Sequence, residues 1–135
     1  MKNLTLFLII SVCLLGYAGC AKKKSERFNL LTTPIWKADT LLAGGVDASG
    51  PGGLLEKFKG DAKFNEDGTG YFGAYKGEWQ LSVDETEITI DADSLKYAII
   101  CDIRELTSQS LKITTVVPDK ITFQMINIRM SFKAK

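Results

Sequence analysis

The sequence predicts an all-β protein, an antiparallel up-and-down (meander) barrel of roughly eight strands. From residue 61 onward, apolar and polar residues alternate in short segments, as they do in strands with one buried face. Tight turns separate these segments and favour pairing of each strand with the next one. An open sheet of this kind would leave two unpaired edges, and closing the sheet into a barrel removes both.

The first strand is predicted over residues 34–42, because Pro34 suits the first position of a strand and Trp36 begins an alternating pattern. Residues 43–53 hold five glycines and one proline, so they cannot form a packed strand or helix. We expect a long loop that is either a lid over one end of the barrel or a disordered segment. Residues 54–58 could form a helical turn or the entry to the next strand.

A hairpin at Asp67-Gly68 sets the phase of the strands that follow. Its turn needs a positive φ, which glycine adopts at low cost. The next strand alternates, with Trp79, Leu81 and Val83 predicted to face the barrel interior. The carboxylates around the hairpin are explained by turn chemistry and solvation, since their spacing does not match a calcium-binding loop. We therefore expect no metal site.

Four further strands complete the predicted barrel. They are expected over residues 86–90, 96–106, 111–117 and 121–132. In the second of these, Tyr97 and Cys101 share the inward face, and a β-bulge is expected near residues 104–105. The last strand changes phase midway, which predicts a bulge or a bend near residues 125–126.

The N-terminus carries a predicted secretory signal. Lys2 precedes an apolar run over residues 4–15 that is too short to span a membrane. The sequence Ala18-Gly19-Cys20 resembles the lipobox of bacterial lipoproteins, with Tyr17 where leucine is usual. The resemblance implies cleavage before Cys20, diacylation of its thiol and anchoring to the outer membrane of a bacterial cell envelope. The alternative is an ordinary signal peptide with the cysteine as a bystander.

These features divide the chain into a lipoprotein signal peptide (residues 1–19), a lipidated cysteine with its tether (residues 20–33) and a barrel domain (residues 34–135). The tether begins with basic residues, which suit either a solvated spacer or contact with anionic headgroups. Basic rather than acidic residues after the cysteine favour a periplasm-facing protein. Without Lys2 the mature chain is formally neutral, so nucleic acid is not an expected partner.

The chain has no histidine, which removes the commonest general base and the commonest metal ligand. Cys101 is the thiol that remains once the signal is cleaved and Cys20 carries lipid. Its place in an alternating strand predicts a small buried side chain. We therefore expect no catalytic residue, no metal and no cofactor, and a protein that is not an enzyme.

Several features occur together along the mature chain. They are Trp36, Phe64-x-x-Asp67-Gly68-Thr69-Gly70-Tyr71, Gly77-x-Trp79-x-Leu81, and Leu106 with Leu111. This arrangement resembles the lipocalin-like domain of small bacterial outer-membrane lipoproteins, although Pro34 stands where glycine is usual. The resemblance implies a calyx-like barrel without enzymatic activity, with residues 43–53 as its lid. It also implies that Arg129 packs over Trp36 at the closed end, with a solvated Arg129 as the alternative.

The aromatic residues assigned to inward faces lead to two hypotheses of function. Six side chains could line an apolar pocket: Trp36, Tyr71, Trp79, Tyr97, Phe123 and Met125. In the first hypothesis, the barrel binds a small apolar ligand, and the protein reaches the membrane through its N-terminal lipid alone. In the second hypothesis, side chains fill the barrel, and the protein presents its surface to an envelope protein partner.

Overall fold

The computed structural model of the protein describes residues 23–135, so the predicted signal peptide and Cys20 lie outside the described residues. The elements are α1 Glu26–Thr32, β1 Trp36–Ala43, β2 Val46–Asp47, a 3₁₀ turn Glu56–Phe58, β3 Asp61–Phe64, β4 Thr69–Phe72, β5 Tyr75–Leu81, β6 Glu87–Ala92, β7 Ile99–Leu106, β8 Ser110–Pro118 and β9 Met125–Ala134. Within residues 23–135, no helix has the length and apolar character needed to cross a membrane.

Eight of the strands form a closed antiparallel barrel. Each strand from β3 to β9 pairs with its neighbour in sequence, and β1 closes the barrel by pairing with both β3 and β9. The short strand β2 pairs with β1 and extends the sheet beyond the barrel. The predicted up-and-down barrel is therefore confirmed. The bulge expected near residues 104–105 is also present, because the register between β7 and β8 shifts between Ile103 and Glu105.

The antiparallel register divides the loops between two ends of the barrel. The closed end carries α1 and the turns at residues 65–68, 82–86 and 107–109, whereas the open end carries residues 44–60 and the turns at residues 73–74, 93–98 and 119–124. Trp36 at the start of β1 lies opposite Ala134 at the end of β9, which places both at the closed end.

A single apolar core runs through the barrel. The residues that face inward on the strands form one buried cluster with side chains from the segments that cover the two ends. Its largest fully buried members are Trp36, Phe64, Leu31, Ile88, Leu111, Ile113, Ile128, Met130 and Cys101. Side chains therefore fill the barrel in this conformation, and burial of these apolar groups is the main favourable term in folding.

Residues 26–32 form the helix α1, which covers the closed end and packs against β3 and β7. Ser25 caps the first turn, since its side-chain oxygen accepts a hydrogen bond from the Phe28 amide at 3.0 Å. Leu31 is fully buried in the barrel core. The structure thus differs from the predicted tether over residues 20–33, because an apolar side chain in this segment completes the core.

Three predicted details of the strands are wrong. Tyr97, predicted to share an inward face with Cys101, lies in the turn before β7 and is mostly exposed. Val83, predicted to face the interior, lies in the turn between β5 and β6 and is fully exposed. The last strand begins at Met125 rather than at residue 121, and it pairs with β8 without a bulge at residues 125–126. In these places apolar residues alternate outside the paired part of a strand, where alternation no longer reports which side chains face the core.

Candidate ligand site at the open end of the barrel

A compact segment, residues 48–58, covers the open end, and we call it the plug. Three of its side chains, Ala48, Leu55 and Phe58, are buried in the core of the barrel. Its backbone closes on itself, because the Leu55 amide donates to the Ala48 carbonyl at 3.0 Å. Residues 43–53 therefore supply the first half of a lid. The sequence signal for the second half is weak: Leu55 and Phe58 stand one 3₁₀ turn apart after the glycines.

The plug meets the barrel closely at the turn between β4 and β5. The Ala74 amide donates to the Lys57 carbonyl at 2.7 Å, and a Cβ at Gly73 would lie 2.2 Å from the same oxygen. Only glycine fits at that position. The Phe58 ring packs against Tyr75 with ring centroids 4.8 Å apart, so aromatic contact reinforces the backbone contact.

Half-buried apolar side chains lie at the same end as the plug. They pack against the core and keep part of their surface in solvent. They are Ala43, Tyr75, Leu95, Ile99, Val117 and Ile126, and we call them the mouth of the barrel. Apolar and aromatic side chains are the usual lining of small-molecule sites, so the mouth is a candidate lining for a ligand that replaces the plug.

An exposed apolar loop stands at the same end as the mouth. Its residues Ile121, Phe123 and Met125 are 87%, 81% and 63% exposed, and we call them the knuckle. The Asp119 carboxylate orders this loop by accepting hydrogen bonds from the amides of Ile121 and Thr122, both at 2.7 Å. Phe123 has a φ of +58°, a left-handed conformation that is uncommon for a bulky residue. The fold thus holds an aromatic ring in solvent at a cost in backbone strain.

The six side chains predicted to line a pocket are separated in the structure. Trp36 and Trp79 are buried at the closed end, Tyr71 lies on the outer face of β4, and Tyr97, Phe123 and Met125 are exposed at the open end. They do not line one common pocket in this conformation. Whether any of them contacts a ligand stays a prediction.

The two tryptophans have hydrogen-bond partners at the closed end. Trp36 Nε1 donates to the Leu31 carbonyl at 3.0 Å, and Trp79 Nε1 donates to the Asn65 carbonyl at 2.9 Å. Each buried indole therefore has its N–H satisfied by the fold. The expected packing of Arg129 over Trp36 is wrong, because Arg129 is exposed and lies opposite the open-end half of β1.

No protein-family model matches the chain, and no curated protein matches it. Bovine odorant binding protein in complex with a selenium-containing odorant aligns with a TM-score of 0.54 at 16% sequence identity, over 85% of this chain and 76% of that chain. The bovine protein with its natural ligand aligns with a TM-score of 0.54 at 16% identity, over 85% and 77% of the two chains. Its complex with undecanal gives a TM-score of 0.52 at 13% identity, over 85% and 77%.

The fold is a lipocalin-like barrel. The likeness at this level of identity concerns the fold alone. It confirms the lipocalin-like barrel that the resemblance implied. The membership of a bacterial lipoprotein class, which was inferred from the same resemblance, stays a prediction.

The core of this lipocalin-like barrel holds one thiol. Cys101 is fully buried, and burial, with a smaller contribution from the charge of Asp102, raises the pKa of the thiol to about 12. The thiol is therefore protonated at neutral pH and is a poor nucleophile, as expected for a small buried side chain. Among residues 23–135, no group of three or more Cys, Asp or Glu side chains is placed to hold a metal ion.

Proposed function

We propose that this protein is a lipid-anchored lipoprotein of a bacterial envelope whose lipocalin-like barrel binds a small apolar ligand at its open end. The observation that carries the proposal is the plug, because one loop segment covers the open end and fills the top of the core. Displacement of the plug withdraws Leu55 and Phe58 from the buried cluster. An apolar ligand in the vacated space restores the buried contacts and offsets the loss.

Glycines on both sides of the plug give it freedom to move. Gly44 and Gly45 precede it with φ values of +59° and +82°, and Gly60 follows it with a φ of +115°. Glycine adopts many backbone conformations at low cost, so these links can change without strain elsewhere. A small segment held by a few hydrogen bonds and three buried side chains is the kind of element that opens locally while the rest of a fold stays closed.

The comparisons suggest which ligand to test first. The solved structures with the same fold are complexes of bovine odorant binding protein with a selenium-containing odorant, with its natural ligand and with undecanal. These ligands belong to the bovine protein. For this chain they support a ligand class, small apolar molecules, and the apolar character of the mouth is consistent with that class.

The anchor and the location are proposed from the sequence. Cys20, in the sequence Ala18-Gly19-Cys20, is the residue that would carry the lipid. The protein would then reside in the cell envelope at the outer membrane, with its folded domain in the periplasm. A non-enzymatic role is part of the proposal, since the chain contains no histidine and the thiol of Cys101 is buried in the core.

Ligand binding is tested with N-phenyl-1-naphthylamine, a dye that fluoresces in apolar surroundings, and with undecanal as its competitor. The variant Gly53→Ala should weaken the closed plug, since a Cβ at Gly53 would lie 2.3 Å from the Ala48 carbonyl oxygen. We expect this variant to bind the dye about tenfold more tightly than the wild type, the effect of about 1.4 kcal/mol of strain in the closed state.

Gly50→Ala is the matched control, because Gly50 lies in the same segment and no atom beyond its own residue and its two chain neighbours lies within 4 Å of its Cβ position. Its dye affinity should equal that of the wild type. If Gly53→Ala binds no more tightly while circular dichroism shows both variants folded, the plug does not control access. If the wild type and both variants bind neither dye nor undecanal, the ligand-binding function is rejected.

A second function, presentation of a surface to an envelope protein, is favoured by the knuckle. Ile121 and Phe123 are among the most exposed large apolar residues of the described chain, and Tyr97 on a neighbouring loop is also mostly exposed. Clusters of exposed apolar side chains on a soluble domain often mark interaction sites. In this function the barrel is a filled scaffold, and the knuckle is the part that contacts the partner.

A further inference from the structure

We propose that the closed end of the barrel rests on the lipid bilayer, so that the mouth and the knuckle face away from the membrane. This orientation rests on the proposed lipid at Cys20. Two observations support it. The first described residues contact the closed end, and only a short stretch of chain separates them from Cys20.

The start of the described chain is fixed to the closed end. Lys24 forms an ion pair with Glu66 in the turn between β3 and β4, and its ammonium lies 5.6 Å from the centre of the Phe28 ring. Arg27 Nε donates to the Glu85 carbonyl in the turn between β5 and β6 at 3.1 Å. These contacts hold the chain against two of the closed-end hairpins, at residues 65–68 and 82–86, so a lipid at Cys20 is tied to this end of the barrel.

The residues between the lipid and the barrel are too few to allow the opposite orientation. The four peptide units from Cys20 to Lys24 reach at most about 14 Å. Strand β8 has 9 residues, which is about 30 Å along the strand and roughly 23 Å of barrel height at a tilt of about 40°. The open end cannot meet the bilayer that holds the lipid unless the barrel lies on its side or α1 detaches.

The closed end also offers a surface that suits the lipid interface. A recess of about 420 Å³ opens there between the start of α1 and the two hairpins. Phe28, Leu81 and the fully exposed Val83 are among its apolar lining residues, and Lys23 and Glu85 also line it. An apolar side chain beside a lysine is a common arrangement at the level of lipid headgroups.

Charge alone does not orient the protein in this way. The closed-end turns carry the carboxylates of Asp67, Asp84 and Glu85. Two basic residues, Lys23 before α1 and Arg27 within it, lie at the same end. Attraction to anionic headgroups is therefore weak, because charges of both signs face the bilayer. The orientation is imposed by the short connection to the lipid, so we expect it to persist at high salt.

The orientation is tested with the full chain, produced in bacterial cells so that processing and lipidation take place, purified and reconstituted into vesicles of brominated phospholipid. Bromine quenches tryptophan emission at short range, and the wild type supplies the baseline from Trp36 and Trp79. Two variants each add one tryptophan at an exposed position, Val83→Trp at the closed end and Phe123→Trp at the open end. We expect quenching of the added emission in Val83→Trp, at low and high salt, and none in Phe123→Trp.

The intact mass of the purified protein reports the lipid on Cys20 separately from the quenching. Absence of the lipid rejects the proposed anchor and this orientation with it. A lipidated protein in which Phe123→Trp is quenched as much as Val83→Trp, or more, rejects the orientation alone. If neither variant is quenched, the closed end does not touch the bilayer, and the proposed contact fails.

Discussion

Phe123 combines two properties that rarely occur together, a mostly exposed aromatic ring and a φ of +58°. Neither lowers the free energy of this chain by itself, since the ring gains no burial and the backbone is strained. Glu85, with a φ of +60°, shares the backbone conformation without the apolar side chain. Substitutions at the two positions therefore distinguish the energetic cost of the backbone conformation from any function of the exposed Phe123 ring.

Asparagine adopts positive φ more readily than either residue. We expect Phe123→Asn and Glu85→Asn each to raise the free energy of unfolding by about 1 kcal/mol, measured by urea denaturation. If neither variant is more stable, strain is not stored at these sites.

If the knuckle binds a protein partner, Phe123→Asn should lose the stoichiometric partner that co-purifies with the wild type from native membranes, and Glu85→Asn should keep it.

At the scale of elements, helix α1 depends on a contact from the barrel. With 7 residues it is too short to be stable in isolation, and its C-terminal carbonyls need partners. Trp36 supplies one for Leu31, and Lys63 on β3 supplies one for Thr32, the last residue of the helix. Lys63 Nζ donates to the carbonyl of Thr32, to that of Thr33 at 3.0 Å and to that of Pro34 at 3.3 Å. A cation at this position also suits the negative end of the helix dipole.

Replacing Lys63 by Met removes these bonds and keeps much of the apolar stem. We expect Lys63→Met to lower the free energy of unfolding by about 2 kcal/mol, the range for hydrogen bonds to a charged group, and to shift tryptophan emission to the red as the α1 cover loosens over Trp36. Lys76→Met on β5 is the control, because Lys76 is exposed and its ammonium makes no hydrogen bond within residues 23–135. Equal losses in the two variants would show that the bonds to the helix end contribute nothing specific.

The elements that the sequence predicts well are those whose partners are their neighbours along the chain. The hairpin at Asp67-Gly68 and the strand carrying Trp79 follow from turn chemistry and alternation alone. Helix α1 and the plug are different, because each is short and is stabilised by what it covers. The burial of Leu31 and Phe58 depends on strands far away in sequence, and no local pattern reports such contacts.

The same dependence on distant contacts explains why the side chains predicted to line one pocket do not come together in the structure. Tyr97 shares the parity of Cys101, so alternation predicts that it points inward, whereas Phe123 belongs to an apolar run whose parity is opposite to that of the buried residues of β9. Both lie in turns beyond the last paired residues, where parity has no structural meaning. A sequence can report that apolar residues are present at one end of a barrel. It cannot report whether they fill the barrel or stand around its opening.

At the scale of the whole molecule, the barrel is a filled core covered at each end by a separate segment. The closed end is covered by α1. This helix is fixed by the hydrogen bond from Arg27 to the turn between β5 and β6, by the ion pair of the preceding Lys24 with the turn between β3 and β4, and by Lys63 on β3. The open end is covered by the plug, which is flanked by glycines with positive φ. This asymmetry predicts that opening occurs at the mouth, and the proposed membrane contact at the closed end leaves the mouth accessible.

Stability in acid should also be a property of the whole barrel, because carboxylates hold its turns at both ends. At the closed end, the hydroxyl of Thr69 and then its amide lower the pKa of Asp67 below its ordinary value near 3.8. Hydrogen bonds from the hydroxyls of Ser82 and Thr86 do the same for Asp84. At the open end, the amides of Thr122 and Ile121 lower the pKa of Asp119. Each group binds protons less readily when folded.

A carboxyl group with a lowered folded pKa stabilises the protein above its unfolded pKa, and this contribution is lost as the pH falls through the folded value. We therefore expect the melting temperature to be nearly constant from neutral pH down to about pH 5 and to fall below about pH 4, near the ordinary aspartate value of 3.8. In Asp84→Asn the fall should be shallower, because one of the titrating groups is gone. Asp91→Asn, at an exposed position on the outer face of β6, should follow the wild-type curve. Parallel curves for the wild type and both variants would mean that the turn carboxylates do not set the acid stability of the barrel.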